Sequence, residues 1–152
     1  MKRDPGMSSC RDYAALLGEA GLAVTANRLR VLEVVGGATY PLSAVEIHRT
    51  LARSAAINRV TIYRILERLV HHGILERLST GGRAFNYGLA ADSDYQPHPH
   101  FYCTRCGRMD CLSPASLPVD TTWLQRTFPG RIDKIEIRVD GVCKDCLKKG
   151  DA

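Results

Sequence analysis

Two Cys-x-x-Cys pairs, Cys103-Thr104-Arg105-Cys106 and Cys143-Lys144-Asp145-Cys146, constrain this chain more than any other feature in it. Two thiolates on one tight turn can share a metal ion. Two such turns brought together make a tetrahedral four-sulfur cage, the usual geometry of structural zinc. The pairs lie 36 residues apart, more than the short gap of a zinc ribbon, so a small folded unit must sit between them with the metal clamping its ends. His98-Pro99-His100 lies just upstream of the first pair and Cys111 just downstream. Those surplus donors raise a second, different metal site.

Six cysteines could also make three disulfides. Met1-Lys2-Arg3-Asp4-Pro5-Gly6 opens with charges but has no apolar run or cleavage site behind it, so no secretory signal is expected. The apolar stretches are helix-length and broken by charges, which argues against a membrane span. A cytoplasmic location is therefore expected, where thiols stay reduced and metal is the better use of these cysteines.

Charge divides unevenly. Residues 1–90 hold 12 Lys/Arg against 7 Asp/Glu, whereas residues 91–152 hold 9 of each. A basic half joined to a neutral half is the electrostatic footprint of a nucleic-acid-binding module with an attached partner domain.

The basic half has the order of a winged helix-turn-helix. Asp12 caps a helix over 12–20, with Ala14, Leu16, Leu17 and Ala20 on helical spacing, ended by Gly21. Thr25 caps a second, with Leu29, Val31, Leu32 and Val35 inward and Gly36-Gly37 as its stop. Ser43 caps a third, with Glu46 at the capping-box position and Val45, Ile47 and Leu51 apolar. A linker through Ser54 and Asn58 leads to a fourth, whose buried stripe is expected to be Val60, Ile62, Ile65, Leu66 and Leu69 and which closes at His71-His72-Gly73. Strands over 74–79 and 83–89 flank the turn Thr80-Gly81-Gly82. In this plan the last helix enters the major groove and the wing reaches a neighbouring phosphate or minor groove. Arg59, Thr61, Tyr63 and Arg64 crowd the N-terminal end of that helix. Arg can bond guanine edges or phosphate, and Thr can contact a thymine methyl. Arg28 is left over on the second helix, and Arg83 on the wing can touch phosphate or keep an edge strand soluble. His48 is expected to be solvated. His71 and His72 are expected to suit the C-terminal end of the helix dipole.

Val60-Thr61-Ile62-Tyr63-Arg64-Ile65-Leu66 resembles the Thr-Val-Tyr-Arg segment of the ferric uptake regulator (Fur) superfamily. Thr25-Ala26-Asn27-Arg28 resembles its Thr-x-x-Arg opening of helix two. His98 to Gly107 resembles its His-x-His-x-x-Cys-x-x-Cys-Gly segment, and Gly141 to Cys146 its terminal Cys-x-x-Cys. The match runs from about residue 12 to 147.

The resemblance implies an α+β (α/β) chain. Its parts would be a disordered tail (1–11), a winged-helix DNA-binding domain (12–89), a hinge with metal ligands (90–100), a zinc-stabilised dimerisation domain (101–147) and a tail (148–152). It implies a homodimer that binds double-stranded DNA, an AT-rich inverted repeat, when loaded with a regulatory metal. Within the second domain, residues 101–102 and 109–112 are strand-like. Residues 118–128 read as a helix with Trp123, Leu124 and Phe128 apolar. Residues 132–142 alternate through Ile135, Ile137 and Val139 as a half-buried strand that can pair with its copy in a partner subunit.

Cys103, Cys106, Cys143 and Cys146 are expected to hold one structural Zn2+ per subunit. His98 and His100, two apart, face the same side of a strand. In metal-sensing members this pair supplies two ligands. The eighth residue after the first zinc cysteine supplies another, which here is Cys111, and an acidic residue before the pair completes the set. That residue is Asp92, with Asp94 close enough to compete; adjacent Asp110 faces the other way. Many iron- and peroxide-sensing relatives carry a carboxylate where Cys111 stands. A thiolate softens the site and favours Zn2+, ahead of Fe2+ or Mn2+. Tyr40, Pro41, Gly88 and Ile135 fall at or near places where the family often has further His or Glu ligands, so a six-ligand iron site is poorly supplied.

The expected function is a zinc-responsive repressor of zinc-uptake genes, most like the zinc uptake regulator (Zur) branch. An iron or peroxide sensor of the same superfamily is the alternative. A structural zinc adaptor would leave Arg59, Tyr63 and Arg64 without a role. A member in which His98 and His100 only stabilise the hinge also stays open. No His-Glu-x-x-His motif or Gly-rich pocket loop supports a zinc hydrolase, so no enzyme activity is expected. Cys10, in the N-terminal tail, has no assigned role.

Overall fold

A computed structural model describes residues 12–90 and 98–150. The chain divides into two compact units, one within residues 2–95 and the other within 96–152.

The first unit runs α1 (Tyr13–Glu19), α2 (Ala26–Gly37), β1 (Leu42–Ser43), α3 (Ala44–Ala52), α4 (Arg59–His71), β2 (Leu75–Ser79) and β3 (Phe85–Leu89). Each helix starts on a side chain that accepts a hydrogen bond from a first-turn N–H: Asp12, Thr25, Ser43 and Asn58. These caps satisfy donors that a helix start otherwise leaves open. At α3 the box is reciprocal. Glu46 N–H donates to Ser43 Oγ at 3.2 Å and Ser43 N–H donates to Glu46 Oε2 at 2.8 Å. Leu17, Val31, Leu32, Ile47, Ile62, Leu66 and Leu69 meet Leu75, Tyr87 and Leu89 of the sheet in one core. The sheet order is β1-β3-β2, antiparallel throughout, so the expected two-stranded wing gains a short third strand.

α2 ends at Gly37, as the Gly36-Gly37 pair leads one to expect, with Ala38 as its C-cap. A Cβ at Gly36 would fall 2.9 Å from Tyr13 Cζ, so that glycine lets α1 close on α2. Several expectations need correction. Val60 is not part of the buried stripe: it is 58% exposed. Arg83 lies in the hairpin connection, because β3 begins at Phe85. His48 is not simply solvated, since its Nε2 lies 3.2 Å from the Ile57 carbonyl.

The second unit contains β4 (His100–Cys103), β5 (Met109–Cys111), a 3-10 turn (Pro114–Ser116), α5 (Thr121–Thr127), β6 (Arg138–Gly141) and α6 (Lys144–Lys148). Its sheet order is β5-β4-β6, with β4–β5 antiparallel and β4–β6 parallel. The expected strand over 132–142 is confined to Arg138–Gly141, because only there does β4 offer a partner. The expected helix over 118–128 shortens to α5, started by Asp120, and α6 was not expected at all. Among the described residues Cys103 and Met109 are buried in this unit together with Pro99 and His100, with Trp123 (64%) and Phe128 (51%) turned to solvent. Among the described residues no helix is long and apolar enough to cross a membrane.

Candidate metal centres and DNA interface

The first cluster grows from the end of β4. Cys103 closes that strand, and its carbonyl accepts from Gly107 N–H at 2.9 Å. Gly107 has φ +76°, a conformation that suits glycine, and it turns the chain back toward β5. The second pair is not on a loop turn as expected. Cys143 occupies the N-cap of α6 and Cys146 lies within that helix. Thr104 joins the two halves, its N–H and Oγ1 both donating to the Gly141 carbonyl at 2.8 and 3.1 Å.

The four Sγ atoms lie within 4.8 Å of one another, with Cys103–Cys146 at 3.9 Å and Cys106–Cys143 at 3.8 Å. A tetrahedron with zinc–sulfur arms of about 2.3 Å has edges of about 3.8 Å, so the spacing fits the ion. Backbone N–H groups of Cys106 and then Cys143 pull the Cys103 thiol down to about 6, by favouring its anion. Its hydrogen bond with Cys143, then burial, push Cys146 up to about 12. One sulfur is thus ready as a thiolate, and a cation would displace the protons that Cys106 and Cys146 keep.

The second cluster comes from strand register. β4 and β5 set His100 opposite Cys111. His98 lies two residues before His100, and their ring centroids are 4.5 Å apart. Leu112 N–H donates to the Pro99 carbonyl at 2.8 Å and His100 N–H to the Ile137 carbonyl at 3.0 Å, which hold this corner. The donor atoms of His98, His100 and Cys111 lie within 4.8 Å of one another, with His100 buried and the other two half-buried. Two imidazoles and a thiolate form a borderline-soft set that suits zinc. Asp92 and Asp94, the expected acidic ligands, lie outside the described residues, as does Cys10. Asp110 instead pairs with Arg108 at 3.0 Å. His100 and Cys103 are three apart on β4, so strand alternation sends them to opposite faces and keeps the two clusters separate.

On α4, Arg59, Tyr63 and Arg64 are exposed, and Thr61 is half-buried with its N–H donated to Asn58 Oδ1 at 2.8 Å. Arg83 is exposed in the wing connection. Arg28 is engaged within the fold: its Nη1 donates to the Ala23 carbonyl at 2.7 Å, bracing the loop before α2. Arg77 stacks over the Phe85 ring at 4.3 Å across the wing, a contact that spacing alone did not reveal.

The family model for the ferric uptake regulator family matches residues 19–119. The chain belongs to that family. It is 30% identical over 140 residues to the ferric uptake regulation protein of Neisseria meningitidis, covering 90% of this chain and 94% of that one. The Fur fold is equally plain. The Vibrio cholerae ferric uptake regulator superposes with a TM-score of 0.73 at 25% identity, over 87% of this chain and all (100%) of that one. A zinc uptake regulator solved with zinc and DNA superposes at 0.61 with 20% identity, over 90% and 91% of the two chains, a likeness of fold. As a Fur-family member the chain is a metal-responsive, DNA-binding transcription regulator.

Proposed function

We propose that this regulator is a zinc-dependent repressor of zinc-uptake genes, of the Zur type. One observation carries the choice of metal: Cys111 sits opposite His100, beside His98, so the second donor set includes a thiolate. A thiolate favours Zn2+ over the harder Fe2+ and Mn2+. Asp92, or Asp94 beside it, completes a four-donor shell.

Cys103, Cys106, Cys143 and Cys146 hold a structural zinc that supports the second unit. The exposed apolar side chains of that unit, Trp123 and Phe128 among them, cover one another across a homodimer. Each subunit presents Arg59, Thr61, Tyr63 and Arg64 to a major groove, with Arg83 reaching phosphate from the wing and Arg28 bracing the helix. The operator is an AT-rich inverted repeat, matching the two-fold symmetry of the dimer.

An ion at the second cluster supplies the positive charge that draws thiolate, imidazoles and carboxylate together. His100 and Cys111 are positioned by β4 and β5 and His98 lies two residues before β4, whereas Asp92 belongs to the segment that joins the two units. Ligation by Asp92 ties that segment down and fixes how the two recognition helices are presented. Coupling of about 1–3 kcal/mol would change DNA affinity by one to two decades.

The test is fluorescence anisotropy of the full-length protein on an operator library, at buffered free Zn2+, Fe2+ and Mn2+. Zinc should trigger binding at the lowest free concentration. Binding that answers iron alone, or that persists after the second site is stripped, rules the proposal out.

A further inference from the structure

Val60 occupies the middle of the outer arc of α4. At about 100° per residue, Ile62, Ile65, Leu66 and Leu69 fill the buried arc and Val60 points the opposite way, flanked by Tyr63 and Arg64. It is 58% exposed, more than Tyr63 at 46%. A β-branched side chain at such a position gains little from the core and costs a few tenths of a kcal/mol in helix propensity. Its neighbours are charged or amphipathic: Arg59 beside it and Arg64 one turn on, both exposed. Glu67 follows on the same arc, and its carboxylate is unfavourable beside phosphates. The face suited to DNA is therefore confined to the first two turns, and Val60 is its centre.

We propose that Val60 is a specificity-determining residue that packs against the 5-methyl group of a thymine in the major groove. This rests on the DNA-binding assignment of α4. The major-groove edges of the four bases offer one apolar group, the thymine methyl. Valine has no donor or acceptor, so any other base edge placed against it would lose water from a polar group and receive no hydrogen bond. Val60 thus attracts thymine and penalises the alternatives. Arg59 and Arg64, on either side, anchor the helix through phosphate or guanine contacts and help to exclude water from the apolar contact.

The experiment starts by selecting operators from a random duplex library with the full-length, zinc-loaded protein. Each thymine of the selected operator is then replaced singly by deoxyuridine, which removes only the methyl group. Affinities are measured for wild type, Val60→Ala and Tyr63→Ala. Wild type should lose about four-fold at one thymine per half-site, the worth of one buried methyl. Val60→Ala should bind thymine and uracil equally at that position and keep its response elsewhere, with unchanged zinc content and melting temperature. Tyr63→Ala should leave the Val60 thymine sensitive. If Val60→Ala keeps every methyl response of wild type, or wild type has none, the assignment of Val60 is overturned while DNA binding stands. If wild type enriches no operator at all, both fall.

Discussion

His100 and Cys111 face each other across β4 and β5, with the His98 ring 4.5 Å from that of His100. A cross-strand pair brings side chains about 5 Å apart without any loop having to fold over them. The donor set is therefore prearranged by the sheet. Replacing Cys111 by Ser leaves the register intact but substitutes a hydroxyl, a poor zinc donor at neutral pH. We predict that Cys111→Ser retains one zinc per subunit and loses the other. Its zinc-dependent DNA affinity should fall by about 5–150-fold, the span of ordinary allosteric coupling. Metal analysis and anisotropy at buffered free zinc check both. A variant that answers zinc as wild type does would remove Cys111 from the shell.

The four-cysteine cluster should matter to folding more than to sensing. Few described side chains of the second unit are buried, Cys103, Met109, Pro99 and His100, whereas the first unit has a full core. So thin an interior leans on its metal, whose binding in small zinc domains is worth about 10–16 kcal/mol at neutral pH. Cys143→Ala removes one of the four sulfurs, at the residue that precedes the first turn of α6. It also disturbs the backbone N–H that donates to Cys103 Sγ at 3.3 Å. The expected result is loss of the dimer in sedimentation and partial loss of far-UV helix and sheet signal. A cooperative thermal transition from residues 12–90 should survive. Retention of a wild-type dimer by the zinc-free variant would contradict this.

What the sequence made legible was local. The caps at Thr25 and Ser43 read correctly because a cap and the N–H that donates to it are three residues apart. The Cys103-x-x-Cys106 turn and the His98-x-His100 pair are likewise short-range. Features set by tertiary partners were missed. Residues 132–142 alternate like a strand, yet only Arg138–Gly141 pairs, since strand length follows the neighbour and not the pattern. Val60 is apolar and adjoins the stripe in sequence, yet helical phase places it on the arc opposite Ile62, Ile65, Leu66 and Leu69. α6 has five residues and begins directly after Cys143, beside the cluster, and no periodicity can reveal so short a helix. The grouping of Cys111 with His98 and His100 was expected from the family resemblance, whereas spacing alone does not specify the β4–β5 register that brings them together.

Trp123 supplies a probe for assembly. It is the single tryptophan of the chain and is 64% exposed in the monomer, close in sequence to exposed Val119 and Phe128. If this face is the dimer contact, emission should shift to the blue as concentration rises, and iodide quenching should fall. Trp123→Arg should weaken dimerisation by about 30-fold or more, since tryptophan anchors at interfaces are commonly worth 2 kcal/mol or above. Zinc occupancy of the four-cysteine cluster should persist. Emission that is independent of concentration across the monomer–dimer range would place the contact elsewhere.

Tyr87 predicts how the DNA-binding unit responds to alkali. It is 6% exposed on β3, opposite Arg77 of β2. Burial raises its phenol above the usual value near 10, and the nearby Arg77 charge offsets only part of that. In the unfolded chain the phenol ionises near pH 10, whereas in the folded unit it keeps its proton to higher pH. The unfolded state then binds fewer protons, so stability falls as pH rises. The contribution is fully present below pH 10 and is lost as pH climbs through the folded value. Tyr87→Phe removes the titration. Urea melts of the two proteins should differ by a constant amount from pH 7.5 to 9.5. Above pH 10 the wild type should lose stability faster than Tyr87→Phe. Parallel stability curves through pH 11 would mean that Tyr87 is not held in an environment that opposes its ionisation.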